Sequence, residues 1–467
     1  MSAAVIADRD VITTVWRAGG LRMTITAHDR HGREATRSVE NPANPRSARR
    51  KNPSGRRRER LQLAVIAIAL LCYTTLGWAV SLFQTGRVPP TTLTTASVEL
   101  TSLGTTLRNS GPYLVYAVAG VIVLSNITRM GKRPLRGLLL PLLGALLLWV
   151  TMSVSTGQLT SGLRFSVLIA IIAVTVWSIG LETDDLVVIG RIGFVIALIS
   201  LVMALTTDKA WTDETIDSKA LIGNAVLAGF FPQMNPLGMS MAITLPFTLM
   251  FKRRLSRFLG FAATATTLLL ASSRTALIAA GIALLAGIIL RAVPRNNRIF
   301  FGAAMLLTIF VVSVVVPLTS DAEAFTNRGA IWRASITLFP ERPIWGYGPN
   351  VFGLDGAVSR LVLGAYWHGH NVVITFAMVG GVVALIALLV FLLSAIHPAL
   401  KSAKVDSLIP FMLTATILAL AITEVPVRPS EFDGVAWVSW LCLFSVATLA
   451  PKKKTDEVLS SESDHSR

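Results

Sequence analysis

Long apolar blocks alternate with short polar joints along the whole chain. Twelve apolar windows stand out, at residues 61–83, 111–127, 137–154, 163–180, 186–205, 237–251, 258–271, 275–290, 299–317, 371–396, 408–422 and 435–450. As helices, such windows suit the ~30 Å hydrocarbon layer of a bilayer, the shorter ones with help from their flanks or a partner. Helix is the expected conformation because backbone polar groups in lipid must be satisfied within their own segment. The pattern predicts an all-α polytopic membrane protein with about twelve transmembrane helices and a large outer loop, residues 318–370, between the ninth and tenth. Residues 61–450 form the transmembrane domain in this reading. A disordered basic tail at 1–60 precedes it and a short tail at 451–467 follows.

Composition agrees with the pattern. The 467 residues are 53% hydrophobic and only 15% charged, with a mean hydropathy of +0.62. The net charge of +17 is gathered into a few segments. RRKNPSGRRRER at Arg49–Arg60 is one, and the others are alternate joints: Thr128–Arg136, Lys252–Arg257, Arg291–Arg298, His397–Lys404 and PKKK from Pro451. All fall on one side of the predicted membrane, which the positive-inside rule makes cytoplasmic together with both termini. Membrane topology thus accounts for the basicity, and no nucleic-acid partner is expected. Cys72 and Cys442 both lie in apolar windows and read as small core residues. Of six histidines, only His368 and His370 face outward in this arrangement.

The chemistry-bearing residues collect in the outer joints. Arg274, in LLLASSRTALIAAG, sits where two windows meet almost without a loop, on the side the charge rule disfavours. It is either a snorkelling interfacial arginine or the binder of an anionic group. In the large loop, Arg328, Ile331, Trp332, Ser335 and Leu338 recur at helical spacing, which predicts a short amphipathic helix on the membrane surface. Arg328 and Arg333, five apart, diverge on that helix. The turn-rich stretch that follows, with Gly346 and Gly348, reads equally as an ordinary turn or as a nest of N–H groups for an anion. HGHN, His368–Asn371, has three readings: metal ligands, interfacial structural residues, or a general base. No carboxylate or cysteine is spaced nearby in a standard metal site. Asn371 is a good N-cap for a helix starting at Val372, and the positive end of that helix would keep a neutral, proton-accepting ring at His370.

With these residues in view, the chain resembles the O-antigen ligase and polymerase family of polytopic membrane glycosyltransferases. The resemblance rests on the layout and on three motifs in order: GFFPQMNPLG at Gly229–Gly238, SSRTAL at Ser272–Leu277, and the run from Arg328 through Trp332, Pro343, Gly346, Gly348 and Phe352 to His370 and Asn371. It implies transfer of a glycan from an undecaprenyl-diphosphate carrier to the hydroxyl of a lipid or cell-envelope acceptor, at the outer face of the cell membrane, with no metal and no cofactor. His370 and Arg274 are then the candidate catalytic residues, the first as base and the second on the diphosphate. Arg328, Arg333, His368, Asn371 and Arg428 are the candidate substrate-binding residues. Many members of the family carry a glutamate in the helix after the HN pair, where this chain has Met378 and Val379. A polymerase joining lipid-linked repeats is the alternative within the family, and a flippase of lipid-linked glycan is the alternative outside it.

Overall fold

The computed structural model describes residues 4–7, 10–14, 24–28, 34–38, 53–87, 98–131, 133–213, 220–362, 368–405 and 407–449. Four short strands, β1 (Ala4–Ala7), β2 (Asp10–Thr14), β3 (Thr24–His28) and β4 (Glu34–Ser38), pair in chain order as an antiparallel sheet. They belong to a unit of their own, Met1–Arg57, within the stretch expected as a tail. The tail expected at 451–467 lies outside the described residues.

The second unit is helical. Its helices are α1 (Pro53–Thr85), which begins in the basic run and belongs to this unit from Arg58 onward, α2 (Ser102–Met130), α3 (Arg136–Thr156), α4 (Leu163–Ile179), α5 (Val187–Thr206), α6 (Met234–Thr248), α7 (Arg254–Leu270), α8 (Arg274–Ala292), α9 (Arg298–Thr319), α10 (Ala324–Leu338), α11 (Ala357–Val362), α12 (Val372–Val405), α13 (Ile409–Leu420) and α14 (Ala436–Ala447). A two-stranded hairpin, β5 (Trp211–Asp213) with β6 (Ala225–Leu227), stands between α5 and α6. Each of the twelve apolar windows coincides with one helix. Among the described residues, seven helices are long and apolar enough to cross a membrane, α1, α2, α3, α5, α8, α9 and α12, while α4, α13 and α14 are shorter apolar helices.

Burial explains the short helices. From Pro236 to Thr248 in α6, from Pro410 to Leu420 in α13 and throughout α14, every residue is buried. A helix that is apolar on all sides belongs in the interior. Around these three, longer helices turn one face outward, as α9 does with Phe300, Leu307, Val311 and Val315. Such a face suits lipid. At the basic end of the bundle, arginines satisfy helix ends. Arg133 donates to the carbonyls of Trp177 and Ile179 at 2.7 and 2.9 Å, closing α4, and Arg60 pairs with Asp185 at 3.0 Å. Cations at C-terminal carbonyls also complement the helix dipole.

The longest helix, α12, packs on α3, α9, α13 and α14 and is broken in the middle. Gly380 and Gly381 leave helical geometry, Gly381 with φ 64° and ψ −155°, a region open essentially to glycine alone. The break frees backbone groups that must find partners. The outer loop supplies them: Tyr347 and Gly348 donate their N–H groups to the carbonyls of Met378 and Val379 at 2.8 and 3.0 Å, while Val382 and Val383 donate to Pro343 and Ile344 at 2.8 and 3.4 Å. Thr151 of α3 donates to the Gly380 carbonyl at 2.7 Å. The glycine-rich turn therefore spends these N–H groups on α12, which answers the anion-nest reading: it is a clamp. A Cβ on Gly381 would overlap the Ile344 carbonyl. Gly381→Ala is thus expected to cost at least ~3 kcal/mol, visible as a lowered thermal midpoint of the detergent-solubilised protein, whereas Gly120→Ala, at a site with open space, leaves the midpoint unchanged.

Candidate active site

Three loops bring the predicted residues to one end of the bundle. At the α7–α8 corner Ser272 adopts φ 48°, its hydroxyl accepts from the Leu221 N–H at 3.0 Å, and Arg274 opens α8 with its side chain exposed. Ser273 packs so closely on Gly238 that a Cβ there would crowd it, which joins SSRTAL to GFFPQMNPLG. Before Arg328, residues Phe325, Thr326 and Asn327 have φ of 54°, 59° and 65°, so the regular part of α10 starts at Arg328 itself. His370 has φ 50°. Among the described residues these are the only non-glycine positions with positive φ, and each lies within three residues of Arg274, Arg328 or His370. Left-handed backbone costs such residues ~1–3 kcal/mol each and persists only where surroundings enforce it.

Glu424, four residues past the end of α13, lies where these segments meet. The side chain is 3% exposed. Its Oε1 accepts from Arg328 Nη2 at 2.6 Å and lies 3.5 Å from Asn235 Nδ2 in GFFPQMNPLG, while Oε2 is 3.7 Å from His370 Nδ1. Arg328 also donates to the Thr423 carbonyl. The Thr423 hydroxyl shares a hydrogen bond of 2.8 Å with that of Thr275, next to Arg274. One short segment, Thr423–Glu424, thereby ties all three motifs together.

The cluster has a definite protonation pattern. Burial would raise the Glu424 carboxyl, but Arg328 and His370 outweigh it and hold the group down at about 2. Burial lowers His370 below its ordinary value; Glu424 opposes this, and Arg328 and Arg428 reinforce it. His368 is pushed much further down by burial, then by Arg428. Both imidazoles are neutral at neutral pH. His368 Nδ1 accepts the His370 N–H at 3.0 Å, which leaves its ring proton on Nε2. In His370, Nδ1 is buried and faces the carboxylate, although the ring is 24% exposed. A carboxylate on that side favours the Nδ1–H tautomer and leaves the Nε2 lone pair on the open side.

The other predicted residues divide. Asn371 is fully buried: its Oδ1 caps the Ile374 N–H at 2.9 Å, and its Nδ2 donates to the carbonyls of Ser313 and Ile422 at 2.8 and 2.9 Å. It is the expected N-cap, and its amide is already occupied. His368 is buried edge-on against His370, with ring centroids 4.4 Å apart. Arg428 pairs with Glu431 at 3.2 Å and Asp433 at 2.9 Å, close enough to the histidines to influence both. Arg333 is not brought in; it is exposed and paired with Asp321 at 2.8 Å. The amphipathic helix α10 exists, but its apolar face turns into the protein, where Trp332 is fully buried and donates Nε1–H to the Gly369 carbonyl at 2.8 Å.

Sequence reasoning overlooked Glu424 and found no carboxylate for the histidines. The only local signal was an acidic residue closing an apolar window. With it, His368, His370 and Glu424 offer ligand atoms within 4.8 Å of one another, a possible metal triad by distance. The donor set does not favour a cation. One carboxylate oxygen is held by Arg328, His368 Nδ1 is spent on a backbone N–H, and two guanidiniums already make the surroundings positive.

The fold is that of a polytopic membrane protein, and arginines, carboxylates and two histidines gather at one end of its bundle. Residues 259–389 match the family model described as O-antigen ligase. The matched segment runs from α7 into α12 and contains Arg274, Arg328, His368, His370 and Asn371, whereas Glu424 lies beyond it. No curated protein matches the chain. Because Glu424 is buried, Arg328→Ala leaves an uncompensated charge and is expected to cost ~3–5 kcal/mol. The double variant Arg328→Ala/Glu424→Ala should lose clearly less than the sum of the single losses in thermal unfolding, and additive losses would show that the pair is not coupled.

Proposed function

We propose that the protein transfers a glycan from an undecaprenyl-diphosphate carrier to an acceptor hydroxyl at the outer face of the cell membrane, in the manner of an O-antigen ligase. The observation that carries this is the joining of a neutral imidazole, His370, to a carboxylate and two arginine-bearing loops through Glu424. The family match over residues 259–389 supports the reaction class. In this reading all twelve helices cross the membrane, both termini are cytoplasmic, and the site end of the bundle faces outward.

The donor's diphosphate meets Arg274, whose side chain is exposed at the N-terminus of α8, where the helix dipole adds to its charge. Arg328 supports the same anion while its other donors hold Glu424 and Thr423. His370 Nε2 takes the proton of the acceptor hydroxyl as its oxygen attacks the anomeric carbon. The bond from that carbon to the phosphate oxygen breaks, and the leaving diphosphate keeps the electron pair, its charge stabilised by the guanidiniums. Configuration inverts, and no metal takes part. Glu424 orients the ring and stabilises the imidazolium that forms. His368 and Asn371 act as positioning residues.

A transporter fits less well, since carriers of anions place charge near the bilayer midplane. Among the described residues the buried carboxylates are Glu59, Asp185 and Glu424, all near helix ends. A polymerase would use the same site with a lipid-linked repeat as acceptor.

Reconstitution with a lipid-linked oligosaccharide tests the proposal. His370→Ala is expected to lower transfer by ~10² to 10⁴, His368→Ala to lower it less, and chelators to have no effect. Full activity in His370→Ala, or abolition by chelator, would sink the mechanism. The pH profile carries a second expectation. The base must be neutral, and burial lowers its pKa, so the acid limb of transfer should lie below 6.5. Glu424→Gln removes a group that raises that pKa and should move the limb lower still, alongside a loss of rate.

A further inference from the structure

The outer-loop turn that clamps α12 also carries a small group of exposed side chains, apart from the Glu424 cluster. Gly346 donates its N–H to the Arg342 carbonyl at 3.0 Å, which closes a single turn. Arg342, Ile344 and Trp345 stand out from it exposed, with Glu341 exposed just before them. The backbone beneath is fixed, because Pro343 and Ile344 accept from Val382 and Val383 of α12 while Tyr347 donates to Met378. Whatever this turn carries is therefore displayed from a rigid base.

Tyr347 arranges the group. Its phenol oxygen lies 2.9 Å from the Leu338 carbonyl and 2.8 Å from Glu341 Oε2, so that one O–H serves both. The Arg342 guanidinium lies over the same ring, 5.2 Å from its centroid. Burial, then the Glu341 carboxylate, push the phenol up to about 12, which keeps it a donor at neutral pH. Glu341 and Arg342 are neighbours in sequence, yet among the described residues they form no ion pair with each other; both turn to the tyrosine. Long side chains on a surface loop ordinarily keep their rotamer freedom, because exposed ion pairs offset little of its loss. Here a carboxylate, a guanidinium and an indole are set close together in advance.

Such a trio suits one kind of ligand. A sugar ring has an apolar face of C–H groups that packs on an indole, and an edge of hydroxyls that donate to a carboxylate and accept from a guanidinium. With one charge of each sign, the group has no net attraction for phosphate or for an anionic lipid surface. Tryptophan is also a common interfacial anchor, but anchoring gives no reason for one tyrosine to hold opposite charges beside it. We propose that Glu341, Arg342 and Trp345 form a carbohydrate subsite that binds an uncharged sugar ring of a glycan chain. Its place beside a reaction rests on the glycan-transfer reading, which it deepens. Met378, where the turn is pinned, lies eight residues beyond His370, ~12 Å of helix. The ring held here is therefore not the one that reacts but another, a short way along the chain.

The test uses the full chain in nanodiscs and two forms of one glycan: the lipid-linked form extracted from cells that make the protein, and the oligosaccharide freed from it by mild acid. Trp345→Ala and Arg342→Gln are compared with wild type; both side chains are exposed, so the thermal midpoint should not move. Wild type is expected to bind the free oligosaccharide ~10-fold or more tightly than either variant, as for lost charge-assisted contacts, and Trp345→Tyr to recover part of the affinity. In transfer assays both variants should raise KM for the lipid-linked glycan while kcat changes less. A raised KM for the acceptor in its place assigns the ring to the acceptor chain and still supports the subsite. Equal binding by wild type and both variants, with KM unchanged for donor and acceptor, overturns the proposal. Failure of the transfer reading looks different: Trp345-dependent oligosaccharide binding without any transfer removes that reading and leaves a carbohydrate site.

Discussion

A buried carboxylate must find positive partners, and the shape of the site end follows from how Glu424 finds them. Taking a carboxylate out of water costs several kcal/mol, which is recovered only through close, well-directed charges and hydrogen bonds. Here the charge comes from Arg328 at 2.6 Å, with His370 and Asn235 around the same group. Each partner belongs to a different part of the chain, so satisfying one side chain fixes several loops relative to one another. The left-handed residues beside Arg274, Arg328 and His370 are the local cost of that convergence. Strain of this kind is stable only where the surroundings are over-determined, and the Asn371 amide, with Nδ2 donating to Ser313 and Ile422 and Oδ1 accepting from Ile374, shows how thoroughly they are.

The same accounting of polar groups explains the middle of α12. A break in a membrane helix exposes carbonyls and N–H groups that lipid cannot satisfy. By laying the turn at 343–348 against the break, the chain satisfies both elements with one set of backbone hydrogen bonds. The first two turns of α12, which carry His370 at their start, are thus held at both ends, by a cap above and a clamp below. An imidazole held in this way has little freedom left to lose.

What the sequence made legible was what local pattern encodes. Every apolar window became a helix, Asn371 became the N-cap that its position before Val372 suggested, and the divergence of Arg328 and Arg333 placed one in the cluster and the other on the surface. Missing were the contacts between distant segments. The Glu424 carboxylate meets Arg328 across 96 residues, and no spacing rule spans that. The turn at Gly346 and Gly348 looked like an anion nest because its local sequence is identical for a nest and for a clamp; only the position of Met378 and Val379 decides. The amphipathic stripe of α10 was read correctly as a stripe, but its partner is protein, because Trp332 has a carbonyl to reach at Gly369.

The late position of Glu424 has a consequence for how the protein comes into being. Arg328 and His370 are made and threaded first, and the hairpin that completes them arrives only with the last two apolar helices. Until then the ring lacks its carboxylate, the Asn371 amide lacks the Ile422 carbonyl, and the guanidinium has no counter-charge. A half-inserted chain therefore holds an incomplete cluster. The cluster is thus completed by assembly itself, and Arg328, His370 and Glu424 meet only after the last apolar segments have been made.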